Sequence, residues 1–376
     1  MQIALVTSWP TEVGDGSGTA VFFNALVDGL RASNHSVEVI APNYDISNYV
    51  EVTLRRFLFN TDLRTDPRVL GADLVIGFDY DGYGLDPATR PPMLTSVHAV
   101  YGDVVQWEID PVRTMVEAQA FFDRVAMERS DHITIGSQYA KDRVVELYDI
   151  APEKITVIPH GLREPAWLAQ ANTPLAIPND HPIIFALGKM YPRKRFGLLL
   201  QALALLKTDY PSVELRIAGD GLEWDQLHVL ADELGVNANV TWLSWLSPTG
   251  DSLAFAREWQ QADIFCHPSY QETFGFVYLE AMLLGKPIVA VRAGAAPEVL
   301  GNAALLVEPE NPAALANALA SFLQDSALRE RYSRLARERA AQYSHEKMID
   351  GHIKVIEQLI GSTNSAKRSV NSVIGT

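Results

Sequence analysis

Residues 271–290 read QETFGFVYLEAMLLGKPIVA, and their reading decides the fold. Ahead of them, ADIFCHPS (262–269) is a short apolar run that reads as a buried strand. Tyr270 to Gly275 then reads as a loop, Phe276 to Leu284 as a helix, and Lys286-Pro287 as its end before the next strand, Ile288 to Val291. Strand, loop, helix and strand in that order form one unit of a parallel α/β sheet. Two carboxylates eight residues apart bracket the loop-to-helix step: Glu272 on the loop and Glu280 inside an otherwise apolar helix. A helix N-terminus opened by Gly275 presents unpaired N–H groups and partial positive charge, which suit a phosphate. Carboxylates beside such a site repel phosphate, but they accept hydrogen bonds from hydroxyls that flank one. The chemistry indicated is a phosphorylated sugar.

The same alternation extends outward through the chain. In the first half, Gln2–Thr7, Ser36–Ala41, Asp73–Gly77, Met93–Val97, His132–Ile135 and Ile155–Ile158 read as strands. Helices are predicted at about 19–32, 111–130 and 138–147. His160 to Pro182 is rich in Pro, Asn and Ala and reads as a linker. A second series follows at Ile183–Leu187, Val213–Ala218, Val240–Leu243, Asp263–His267, Pro287–Val291 and Ala304–Val307. This predicts an α/β protein of two doubly wound, Rossmann-like domains facing a central cleft, with ligands at the carboxyl ends of the strands. The expected boundaries are 1–165 and 166–344. Amphipathic helices are expected at 326–343 and 345–360, and a disordered tail at 361–376.

Composition narrows the function classes. The chain has 376 residues and a formal net charge of −15, a size for two domains and a charge that argues against nucleic acid. Residues 1–160 hold 12 Lys+Arg against 23 Asp+Glu, a balance of −11. An acidic first half disfavours a membrane-facing basic surface. Leu54 to Phe59, with Arg55 and Arg56, is the candidate for such a patch, and it reads instead as a solvated loop or helix end. Cys266 is the single cysteine, so no internal disulfide forms. No basic segment precedes the first strand, so no secretory signal is expected. A cytoplasmic location is expected, at most peripheral at the inner face of a membrane.

Other groups gather at strand ends. Gly188 to Arg195 follows a strand and carries Lys189, Arg193, Lys194 and Arg195, a cluster suited to a diphosphate. Gly14 to Thr19 is a glycine-rich loop between the first strand and helix. Asp79-Tyr80-Asp81 spells D-x-D, read here as turn or acceptor-side residues in preference to metal ligands. No His/Cys cluster suggests zinc.

The glutamate pair followed by EAMLLGKPIVAVRAGAAPEVL resembles the signature of family 4 glycosyltransferases, retaining enzymes of the GT-B architecture, and the resemblance runs from about Met1 to Ile360. It implies transfer of a hexose from a nucleotide diphosphate sugar, with a UDP-sugar favoured and GDP-mannose as the other choice, to a hydroxyl acceptor such as a sugar, glycan, lipid-linked or small molecule. No metal or cofactor is implied, since Lys/Arg and a helix end meet the phosphate charge. Glu280 would hold ribose hydroxyls and Glu272 donor-sugar hydroxyls. Lys189, Arg193, Lys194, Thr273, Phe274 and Gly275 would complete the donor site with Gly16 and Ser17 of the first loop. His98, Lys194 and Glu272 would be the catalytic set. Three positions depart from the family pattern: Lys189 stands for an Arg, Arg195 for a Gly, and His160, in Val157-Ile158-Pro159-His160-Gly161, for an Asn. Two other readings stand beside this one, a non-catalytic sugar-nucleotide-binding partner and a sugar-nucleotide epimerase on the same fold.

Overall fold

The structure is a computed structural model that describes residues 1–9, 18–43, 48–162, 166–173, 179–246 and 252–374. The chain divides into two compact units. One holds Thr19–Gly161, the strand ahead of it and the segment from His345 on; the other holds Leu162–Ser344.

The first unit is built on a parallel sheet of β1 (Gln2–Val6), β2 (Ser36–Ile40), β3 (Leu74–Phe78), β4 (Met93–Val97), β5 (His132–Ile135) and β6 (Ile155–Val157) in the order β2-β1-β3-β4-β5-β6. β3 and β4 are buried along their whole length, as LVIGF and MLTSV require, whereas the edge strand SVEVI is only partly covered. The second unit holds β7 (Ile183–Leu187), β8 (Glu214–Ala218), β9 (Val240–Leu243), β10 (Ile264–His267), β11 (Ile288–Val291) and β12 (Ala304–Val307), also parallel, in the order β12-β11-β10-β7-β8-β9. Chain order reverses between β1 and β3 in the first sheet and between β7 and β10 in the second. At such switch points a crevice opens beyond the carboxyl ends of the strands.

Two expectations are corrected. Residues 54–59 are neither a loop nor a basic patch. They lie inside the helix Tyr49–Asp62, whose N-terminus Asn48 caps by accepting from the Glu51 N–H at 3.0 Å. Val52, Arg56 and Asn60 share one face at a spacing of four and turn it inward. Arg56 is fully buried, donating from Nε to Ser8 Oγ at 2.8 Å and lying 4.3 Å from the Tyr80 ring. Arg55 stays outside, paired with Glu51 at 2.5 Å. The last helix does not stop at 360 either. It runs His345–Ile374, because the sequence after Gly361 offers neither proline nor a further glycine to end it before that point. It docks on the first unit: Met348 Sδ accepts from the Gly161 N–H at 3.3 Å, and a Cβ at Gly29 would come within 2.5 Å of Ile349.

Candidate active site

In the second unit, the chain leaving β7 and the chain leaving β10 are neighbours at the switch point. The Tyr270 N–H donates to the Arg193 carbonyl at 2.9 Å and ties the two segments together. Lys194 sits in a single 3-10 turn, Pro192–Lys194, and its Nζ meets Glu272 Oε1 at 2.5 Å. His267, the last residue of β10, reaches the same oxygen through Nε2 at 2.7 Å. The backbone of Glu272 is fixed too. Its carbonyl accepts from the Ala295 N–H at 3.0 Å, and Gly294 passes so close that a Cβ there would lie 2.8 Å from the Glu272 nitrogen. Burial would push this carboxyl up, but the Lys194 charge and the His267 hydrogen bond outweigh it and hold Glu272 well below the usual range. Glu272 is therefore an anchored carboxylate.

Glu280 is the opposite case. The helix Phe276–Leu283 begins at Gly275, whose φ of 89° lies in the left-handed region, and a Cβ there would sit 2.5 Å from the Tyr278 ring. Glycine is thus required for the turn that aims the helix. Glu280 lies on that helix at 9% exposure, and its Oε2 has no hydrogen-bond partner among the described residues. Burial pushes its carboxyl up to about 8. A buried acceptor left open is costly unless a ligand fills it. Glu272 thus lies on the loop before Gly275 and Glu280 within the helix after it, with Lys194 paired to the first.

The remaining donor-side residues take varied positions. Lys189 Nζ pairs with Asp220 Oδ1 at 2.7 Å and lies 4.1 Å over the Trp245 ring. The Arg193 guanidinium lies 4.9 Å from the Tyr191 ring. Arg195 has φ 55° and ψ 36°, a left-handed conformation, which explains why glycine suits this position; its Nη2 pairs with Glu310 at 2.8 Å. Thr273 and Phe274 are buried, and Phe274 packs on Phe276 and Tyr343 with centroids 5.9 and 5.5 Å apart. Phe274 can therefore serve a ligand only through its backbone. Gly16 and Ser17 lie outside the described residues.

In the first unit, His98 follows β4. Its ring stacks on Phe78 at 5.0 Å and on His160 at 5.2 Å; Nε2 lies 3.0 Å from Ser96 Oγ, and Nδ1 has no hydrogen-bond partner among the described residues. Burial holds it well below its ordinary value, so it is neutral. His160 fills the space beside Gly136, where a Cβ would lie 2.7 Å from its Nε2. Both carboxylates of the D-x-D stretch serve as internal acceptors. Asp79 Oδ1 accepts from the His98 and Ala99 N–H groups at 2.7 and 3.0 Å and so shapes the turn carrying His98. Asp81 accepts from the Ser8 N–H at 2.6 Å and from Asn60 at 2.8 Å.

A cavity of about 640 Å³ lined by His181, Lys286, Arg329 and Arg337 lies elsewhere in the second unit, near the amino ends of β7 and β11. Its cations cap carbonyls: Lys286 at Ala262 (2.7 Å) and Arg337 at Leu284 (2.9 Å). It is at the wrong end of the strands for the Glu272 chemistry. Sequence reading missed His267. The only available signal for His267 was a polar residue ending the apolar strand IFCH.

Residues 170–339 match the family model "Glycosyl transferases group 1" and residues 16–163 match "Glycosyltransferase Family 4". The D-inositol 3-phosphate glycosyltransferase of Corynebacterium efficiens is 27% identical over 88% of this chain and 88% of that protein. Alignments with three further proteins of that name span 66%, 57% and 53% of their length, less than two thirds of each. Among solved structures, sucrose-phosphate synthase from Thermosynechococcus elongatus superposes with a TM-score of 0.76 at 20% identity, covering 96% of this chain and 99% of that one. Anabaena HepE, solved in complex with UDP and glucose, gives 0.70 at 19% identity, covering 95% and 99%. The two units are the paired Rossmann-like domains of the GT-B fold, and each matches a glycosyltransferase family model.

Proposed function

We propose that this chain, whose two units match two glycosyltransferase family models, is a retaining hexosyltransferase. It moves a hexose from a nucleotide diphosphate sugar to a hydroxyl acceptor without a metal. The observation that carries this reading is the pairing of two unlike carboxylates, anchored Glu272 and open Glu280, on either side of a glycine-opened helix N-terminus. Glu280 accepts from the ribose hydroxyls and Glu272 from those of the hexose. Lys194 and Lys189 turn from their carboxylate partners to the diphosphate, where the helix end adds N–H donors. As the bond from the sugar C1 to the diphosphate oxygen breaks, these cations stabilise the departing charge and the Glu272 carboxylate the cationic sugar. Neutral His98 is the first unit's candidate for the reaction, one that adds no competing positive charge. A UDP-hexose is the first donor to test. The name carried by the relatives makes a phosphorylated cyclitol the first acceptor.

The test is a titration with UDP- and GDP-hexoses, with and without EDTA, followed by NMR of the product anomer. Binding of one base with EDTA-resistant transfer and a retained anomeric configuration supports the proposal; strict dependence on Mg²⁺ or Mn²⁺, or inversion, refutes it. Lys194→Ala is expected to lower kcat by two orders of magnitude or more, about 3 kcal/mol of transition-state stabilisation. Near-normal turnover in that variant would remove Lys194 from the mechanism.

A further inference from the structure

We propose that His267 is the positioning residue that keeps Glu272 in place when Lys194 leaves it for the donor diphosphate. This deepens the proposed function and rests on that reading. Both donors converge on one atom: Lys194 Nζ at 2.5 Å and His267 Nε2 at 2.7 Å meet Glu272 Oε1. A carboxylate held by one oxygen leaves the other to accept from a sugar hydroxyl.

The two donors differ in mobility. Lys194 is carried on a flexible stem from a short turn, with a charge that a diphosphate competes for. His267 belongs to β10, paired on both sides with β7 and β11, and is 1% exposed. Its ring lies parallel to Phe265 at 6.1 Å and edge-on to Tyr278 at 5.3 Å, so it cannot swing away. Burial holds it below its ordinary value, so the bond to Glu272 is donated by a neutral Nε2–H tautomer. Nδ1 has no hydrogen-bond partner among the described residues, which leaves Nε2 as the working nitrogen. Among the described residues no other charged side chain replaces Lys194 once it turns: the helix presents the Tyr278 hydroxyl, and Gly294 and Ala295 bring only backbone.

Two substitutions separate this role from bulk packing. His267→Phe keeps the ring and loses the donor; His267→Gln keeps an N–H near the position of Nε2. With His267→Phe, KM for the donor sugar is expected to rise about tenfold, the loss of a charge-assisted hydrogen bond. The dissociation constant of the free nucleoside diphosphate, which does not meet Glu272, stays unchanged. Removing a donor that favours the charged carboxylate raises the Glu272 pKa, so the acid limb of kcat/KM moves to higher pH. His267→Gln restores most of both. Equal losses in the two variants, or none in either, overturn the proposal. A readout without turnover is the imidazole ¹⁵N spectrum of Lys194→Met, in which His267 must remain the neutral Nε2–H tautomer bonded to Glu272; loss of that signal overturns the proposal even if His267→Phe fails to fold. Absence of transfer from any donor in the wild type would sink the proposed function, while this spectrum would still decide the role of His267.

Discussion

At the scale of single residues, the site stores its cost in Glu280. Its folded pKa of about 8 stands above the ordinary carboxyl value of 4.5. A raised carboxyl pKa means that the folded state binds the proton more tightly. Its contribution to stability is complete below pH 4.5 and is lost as the pH rises through 8. Glu280→Gln, which keeps the shape and cannot ionise, should therefore make the ligand-free protein more stable at pH 8.5 by about 1–3 kcal/mol. At pH 4.5 it should change little. At pH 8.5 the same variant should bind the donor more weakly, because an amide offers the ribose one acceptor oxygen in place of a carboxylate. Urea unfolding at both pH values, with a donor titration, checks the pair of effects; a variant less stable at pH 8.5 refutes the origin given for the shift. Arg195 makes a second case. Its left-handed backbone costs about 1 kcal/mol for a residue with a Cβ, and its ion pair with Glu310 is half exposed and worth little. Arg195→Gly should match or exceed the wild-type stability by up to about 1 kcal/mol, read from the urea midpoint. A loss above 2 kcal/mol would show that the Arg195 stack on Tyr270 matters more than its backbone strain.

At the scale of elements, the helix Phe276–Leu283 works only because Gly275 turns the chain into it. Gly275→Ala would place a Cβ 2.5 Å from Tyr278 and force a left-handed conformation on alanine. The first turn must then shift, and with it the N–H groups proposed to meet the phosphates. The expected result is at least a tenfold loss of nucleoside diphosphate affinity by calorimetry, larger than the loss in overall stability. Unchanged affinity would mean that the helix end does not meet the phosphate. The legible parts of the sequence were those whose pattern is local. The twelve strands of the described residues were readable because parallel strands are short, mostly apolar runs, and the boundaries erred by no more than a residue, as at Asp73, Ile158 and Val213. The candidate residues Lys194, Glu272, Gly275 and Glu280 could be nominated because they sit in two contiguous stretches, and the fold brings Lys194 to Glu272. The helix Tyr49–Asp62 was misread because its inward face carries Arg56 and Asn60, whose partners Tyr80 and Asp81 come from another strand's end. His267 was missed for a related reason: in the sequence it is one more residue of a strand, and only the fold sets Glu272 against it.

At the scale of the whole molecule, the chain enters the first unit, leaves it at Gly161 and returns at His345. The two units therefore depend differently on the last segment. The six described strands of the second sheet lie within Leu162–Ser344, so ending the chain after Ser344 leaves that sheet and the Lys194, Glu272 and Glu280 cluster whole. The first unit would lose Met348 against Gly161, Ile349 against Gly29, and His352, whose ring lies 5.5 Å from Phe22. Removing several buried apolar side chains costs about 2–5 kcal/mol each where the site cannot collapse. The shortened chain should thus lose the unfolding transition of the first unit while keeping nucleoside diphosphate affinity within about threefold of the full chain, a margin under 1 kcal/mol. The pH dependence assigns the transitions in the intact protein. Burial lowers His160 to about 3 and His352 to about 4. A histidine with a lowered folded pKa contributes stability that is present above its unfolded value near 6.5 and is lost as the pH falls toward the folded one. Between pH 6.5 and 4 these two histidines should weaken the first unit, against the raised carboxyl of Asp79, about 6, which adds stability as the pH falls, so the histidine share is read by calorimetry from a variant. His352→Phe, which keeps a ring in that place and removes its proton site, should flatten the pH dependence of the first transition alone. A single transition at every pH would mean that the two units unfold as one.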